Sequence, residues 1–71
     1  MERVPVESQA LSSVGYDPAQ RVLEVEFSSG EVYRYFNVPE NEYVALMEAD
    51  SFGLYFIENV RKRGYRFHHV G

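Results

Sequence analysis

No cysteine and no tryptophan occurs among the 71 residues, which excludes a disulfide framework, a thiolate metal site and a cysteine nucleophile. Glycine and proline are scarce, at five and three, and neither an internal repeat nor a low-complexity segment is present. No apolar run approaches the roughly 18 residues of a membrane span. Met1 to Ala10 carries no secretory h-region, so the expected location is cytoplasmic, with no membrane partner. The length leaves room for one domain. Hydrophobic residues at 45% and charged ones at 25% match an ordinary globular chain and argue against disorder throughout. Eleven phenylalanines and tyrosines supply the large core pieces. Such a domain is expected to be stable by about 4–10 kcal/mol.

Acids are also missing from one end. All eleven precede residue 61, where only Arg3, Arg21 and Arg34 oppose them, a balance of −8. Residues 61–71 hold Arg61, Lys62, Arg63 and Arg66 with no acid, a balance of +4, together with His68 and His69. A basic end on an acidic body is suited to phosphate, because each neutralised phosphate releases a counterion. Cations in the last turn of a helix have a plainer use, since they interact favourably with its carbonyl end. The sequence leaves both readings open.

Residues 1–10 lack periodicity and are expected to form a flexible lead-in, with Pro5 opposing regular pairing. The folded domain is expected over residues 11–71. Leu11 to Tyr16 reads as a short strand, with Val14 and Tyr16 on one side. Asp17-Pro18-Ala19-Gln20 has turn chemistry, because Pro18 presets φ and the Asp17 carboxylate accepts from the turn. Arg21 to Phe27 alternates clearly: Leu23, Val25 and Phe27 face one way, Glu24 and Glu26 the other. Ser28-Ser29-Gly30 turns the chain, and Glu31 to Phe36 returns as a third strand.

The hairpin register decides how the central aromatics are placed. A two-residue loop at Ser29-Gly30 would put Tyr33 and Tyr35 on the outer face with Glu24 and Glu26. A type I turn with Gly30 as a left-handed bulge sets Phe27 opposite Glu31, Val25 opposite Tyr33 and Leu23 opposite Tyr35. A slip of one residue exchanges the faces completely. The bulge is favoured because it gathers five large side chains on one face, worth several kcal/mol of burial. It also sets Arg34 against Glu24 and Glu26, which adds only about 0–1 kcal/mol if the pairs are exposed.

After Val38-Pro39 the period becomes helical. Tyr43, Leu46 and Met47 share a stripe, and Pro39, Glu40 and Glu42 suit a helix start. Ser51 is a plausible N-cap for a second helix from about Phe52 to Lys62, with Gly53, Phe56, Ile57 and Val60 inward. The missing side chain of Gly53 would let the backbone approach the sheet, and Gly64 reads as the stop. Tyr65 to Val70 is expected to be extended or frayed. The fold class is therefore α+β: a three-stranded antiparallel meander with two helices packed on one face.

The order of these pieces resembles the KTSC domain family, named for its occurrence at the C-terminus of some lysyl-tRNA synthetases and also found as a stand-alone prokaryotic protein. The resemblance runs from about Leu11 to Phe67. It rests on Ser13 to Pro18, Leu23 to Gly30, Tyr33 to Pro39, Tyr43 and Leu46, and Ser51 to Phe56. The hallmark is the central Tyr33-Arg34-Tyr35. The resemblance implies an accessory module, with RNA binding suggested by attachment to a synthetase. Phe52 and Leu54 stand where members often carry lysine or arginine, which removes positive charge from the start of the second helix.

Few residues point to chemistry. Tyr33 and Tyr35 would form a stacking platform for single-stranded RNA if exposed, but the favoured register makes them core residues. Ser51 and Gly53 at a helix start would offer free N–H groups to a phosphate, or simply cap the helix. Adjacent His68 and His69 lack the spacing and the third ligand of a metal site. Ser12 or Ser13 with a histidine and Asp17 holds the atoms of a triad without its spacing, and no glycine-rich phosphate loop is present. The expectation is a non-enzymatic module without cofactor or metal. Two partners fit it. The first is RNA or tRNA, bound through Arg61, Lys62, Arg63 and Arg66 with Ser51 and Gly53. The second is a protein, docked on a sheet edge or on Phe52, Tyr55, Tyr65 and Phe67.

Overall fold

The computed structural model describes residues 1–71. Its sheet is antiparallel and has five strands in sequence order, rather than the expected three. They are β1 (Arg3–Pro5), β2 (Leu11–Asp17), β3 (Val22–Phe27), β4 (Val32–Tyr35) and β5 (Phe67–His69). Helices α1 (Glu40–Glu48) and α2 (Phe52–Phe56) lie between β4 and β5. No helix is long and apolar enough to cross a membrane.

The central hairpin adopts the bulged register. Leu23 pairs with Tyr35, Glu24 with Arg34 and Val25 with Tyr33. Gly30 takes a φ of 97°, its N–H donates to Phe27 O at 2.8 Å, and Phe27 N–H donates to Glu31 O at 2.8 Å. A left-handed residue is what this turn requires, and glycine meets that need without a Cβ penalty. On the bare face Glu24 is nearly buried between two guanidinium groups, at 2.7 Å from Arg34 Nε and 3.1 Å from Arg3 Nη1. Glu26 takes no arginine; it accepts from Ser13 Oγ at 3.0 Å.

Both extra strands come from segments read as unpaired. Arg3–Pro5 forms an edge on β2, with Arg3 opposite Gly15 and Pro5 opposite Ser13. Proline is excluded from central strands but tolerated on edges, so Pro5 does not prevent the pairing. Gly15 makes room for it, since a Cβ there would sit 2.6 Å from Glu2 O. At the other edge β5 pairs with β4, Phe67 opposite Tyr35 and His69 opposite Tyr33. The tail is held by aromatic contact with its neighbour strand.

The core lies between the sheet and the helices. Leu11, Val14, Leu23, Val25 and Tyr35 meet Val38, Leu46, Phe56 and Val60 there. Tyr16 stacks on Tyr43 at 5.0 Å between ring centres, and its hydroxyl donates to Val38 O, which ties β2 to α1. Ser51 caps α2, its Oγ accepting from Leu54 N–H at 3.2 Å. Gly53 approaches the segment before β2, since its Cβ would lie 3.3 Å from Ala10 Cβ.

The second helix does not continue as an α-helix to Lys62. From Ile57 to Arg61 it widens into a π-helical turn, with Lys62 N–H donating to Ile57 O at 3.1 Å. The wider turn changes the phase. Phe56 and Val60 remain buried as expected, whereas Ile57 is exposed.

Candidate functional site

The helices do not cover the whole sheet. Beyond Phe56 the aromatic face of β4 and β5 opens onto a groove of about 520 Å³. Phe27, Tyr33, Tyr35 and Phe67 line it on the sheet side, Ser28, Ser29 and Glu31 come from the hairpin turn, and Arg61, Gly64 and Tyr65 come from the helical side. Its size falls within the range of ligand clefts.

Alternation along β4 sends Tyr33 and Tyr35 to the helix-facing side, as the bulged register requires. Their fates then separate. Tyr35 is buried, its ring 5.4 Å from Phe56, and burial pushes its phenol pKa up while the Arg61 charge pulls it the other way. Tyr33 is only half-buried because it lies past the helix. It packs edge-on to Phe27 at 5.5 Å, contacts Phe67 at 5.8 Å, and stacks on His69 at 4.6 Å with the planes 10° apart. Phe67 is 62% exposed.

The basic residues are not equivalent. Arg61 lines the groove, whereas Lys62 is paired with Glu58 at 3.2 Å. Arg63 lies close enough to Tyr55 and Tyr65 for its charge to favour their ionisation. Arg66 immediately precedes Phe67, and its carbonyl accepts from Phe36 N–H at 2.8 Å. Ser51 and Gly53 are not brought to these cations. They border a separate cavity of about 290 Å³ with Glu7 and Asp50, and Ser51 Oγ is already engaged in capping. Two carboxylates beside this helix start make a poor phosphate site.

His68 and His69 alternate across β5, so their rings do not converge: His69 stacks on Tyr33 and its Nε2 lies 3.0 Å from Gly71 O. Ser13 Oγ meets a carboxylate rather than a histidine. The aromatics named for protein docking also separate. Phe52, Tyr55 and Tyr65 pack against the core, leaving Phe67 widely exposed.

One buried polar cluster escaped the sequence reading. Glu42, expected only as an acid that suits a helix start, is buried and accepts from the hydroxyls of Tyr55 and, at 3.5 Å, Tyr65. The hydrogen bond to the carboxylate, with burial, pushes the Tyr55 phenol up to about 12. For Tyr65 burial raises the pKa first and the Glu42 charge second. The cluster joins α1, α2 and the segment leading to β5. Glu42 lies four residues before Leu46, so the helical period sets it on the buried face, but a carboxylate there reads as a solvated one without its tyrosine partners.

The chain as a whole is similar to known proteins. The family model for the KTSC domain matches residues 7–65. An uncharacterized protein of Stutzerimonas stutzeri (strain A1501) is 51% identical over 67 residues, 94% of each chain. A Tsukamurella paurometabola protein is 39% identical over 62 residues, 87% of this chain and 91% of its own. The crystal structure of a KTSC domain protein from Yersinia pestis superimposes with a TM-score of 0.90 at 37% identity, covering 99% of this chain and 97% of that one. With its bulged hairpin, paired tyrosines and capped second helix, the chain belongs to the KTSC domain family.

Proposed function

We propose that this domain is a non-enzymatic accessory module that binds single-stranded RNA in the open aromatic groove. Bases stack on the exposed ring of Phe67 beside Tyr33, and the positive field of Arg61, Lys62, Arg63 and Arg66 attracts the phosphates. The observation that carries the reading is the open ring of Phe67, 62% exposed in a groove that also holds an arginine without an ion pair. Stacking on an aromatic contributes about 1–3 kcal/mol per base without requiring a particular sequence. Docking of a protein through Phe52, Tyr55, Tyr65 and Phe67 has less support, since three of these pack against the core.

The test is a fluorescence-anisotropy titration with a labelled single-stranded RNA and with tRNA, at low and moderate salt. Three or four phosphate contacts give a log–log salt slope of about −2 to −3. Phe67→Ala should weaken binding about tenfold. Arg61→Ala should weaken it more than Lys62→Ala, because Lys62 is already paired with Glu58. Salt-independent binding, or full affinity in Phe67→Ala, would reject the reading.

A further inference from the structure

We propose that the groove selects guanine, an inference that rests on the RNA-binding reading above. Two opposite charges line this one cavity: Glu31 from the hairpin turn and Arg61 from the helical side. They do not pair with each other, and neither joins any of the chain's three ion pairs. Glu31 is exposed, and its one side-chain contact is an acceptance from Ser29 Oγ at 3.4 Å. A carboxylate and a guanidinium that line one cavity without pairing place an acceptor and a donor beside the same stacking surface.

The chemistry of the two groups is directional. An ionised carboxylate only accepts hydrogen bonds, and a guanidinium only donates them. Guanine carries two adjacent donors, N1–H and N2–H, on one edge and two adjacent acceptors, O6 and N7, on another. It satisfies both side chains while its face rests on Phe67. Adenine and cytosine each set a ring-nitrogen acceptor beside their amino donor, which a carboxylate repels. Uracil flanks its one ring N–H with two carbonyls. No other standard base offers a donor pair to Glu31 and an acceptor pair to Arg61.

The experiment uses the full chain and labelled RNA heptamers of adenosine whose central nucleotide is guanosine, adenosine, cytidine or uridine. Anisotropy at one salt concentration is expected to show the guanosine heptamer bound about tenfold or more tightly than the others. Glu31→Gln should reduce that preference to within about twofold. Its affinity for the all-adenosine heptamer should rise, because a negative charge has left the groove. A thermal melt establishes that the variant, altered at an exposed turn, remains folded. Equal affinity for all four heptamers, or a preference for another base, overturns guanine selection. If that binding still falls with salt and with Phe67→Ala, the RNA-binding reading survives. Absence of binding to every heptamer overturns both.

Discussion

Strands β2 and β3 and strands β4 and β5 belong to one ribbon and carry similar apolar residues, but the helices treat them differently. Leu23 and Val25 lie wholly beneath Leu46, Phe56 and Val60. Tyr33 and Phe67, on the same face beyond Phe56, are only partly covered and meet an open groove walled by Arg61, Gly64 and Tyr65. Aromatic rings on the covered side provide cohesion, through contacts such as Phe27 on Phe56 at 5.5 Å. Rings on the open side contact each other and water. An aromatic face left half-covered stabilises the fold less than a buried one and is available to another flat ring. Position relative to the helical layer, not residue type, separates a buried tyrosine from a half-exposed one.

The largest expected effect contrasts two phenylalanines. Phe56→Ala should cost about 3–5 kcal/mol, a large share of the stability expected for a domain this size. Phe67→Ala should cost only about 1 kcal/mol, because its ring, though it touches Tyr35 at 5.7 Å, is 62% exposed. Urea denaturation of both variants measures this directly, and equal losses would break the comparison. A smaller effect is expected at the β1 edge. Gly15→Val brings a Cβ against Glu2 O, so β1 must shift or detach at a cost of about 1–3 kcal/mol. Faster amide exchange at Arg3 and Val4 with unchanged groove binding would confirm that the two edges are independent. Unaltered exchange would show that β1 has another anchor.

The smallest effect concerns the Glu42 cluster behind the groove. The Tyr55 phenol, pushed up to about 12 in the folded chain, keeps its proton at pH values where the unfolded chain releases it near 10. Its contribution is fully present below pH 10 and is lost as the pH rises towards and through 12. Thermal melts between pH 9 and pH 12 should show stability falling more steeply in the natural chain than in Tyr55→Phe. Parallel profiles would remove Glu42 and Tyr55 as a source of that slope.

Local chemistry made several parts of the fold legible in the sequence. Gly30 and the alternation of Leu23, Val25 and Phe27 were enough for the hairpin register, because only one register turns both tyrosines to the apolar face. The opposition of Arg34 and Glu24 followed from it, and Ser51 was readable as a cap. The edge strands were not legible: three residues are too few to display a period, and Pro5 looks the same in an edge strand as in a loose lead-in. The burial of Ile57 was expected on a 3.6-residue period, which the π-helical turn breaks. Glu42 was hidden because its partners lie 13 and 23 residues away.

The candidate site divides in the same manner. The basic end was visible as a run of charge, but Arg61 differs from Lys62 only in where the widened turn leaves it and in the Glu58 that Lys62 finds four residues away. The pairing of β5, which brings Phe67 and His69 to Tyr33, has no sequence signal beyond the aromatics themselves. Sequence alone determined which side chains share a face, because alternation and turn geometry act within a few residues and one register wins by several kcal/mol. Tertiary structure alone decided how far the helical layer extends over that face, because that depends on the sum of contacts among distant segments. The extent of that cover leaves Tyr35 sealed and Phe67 open.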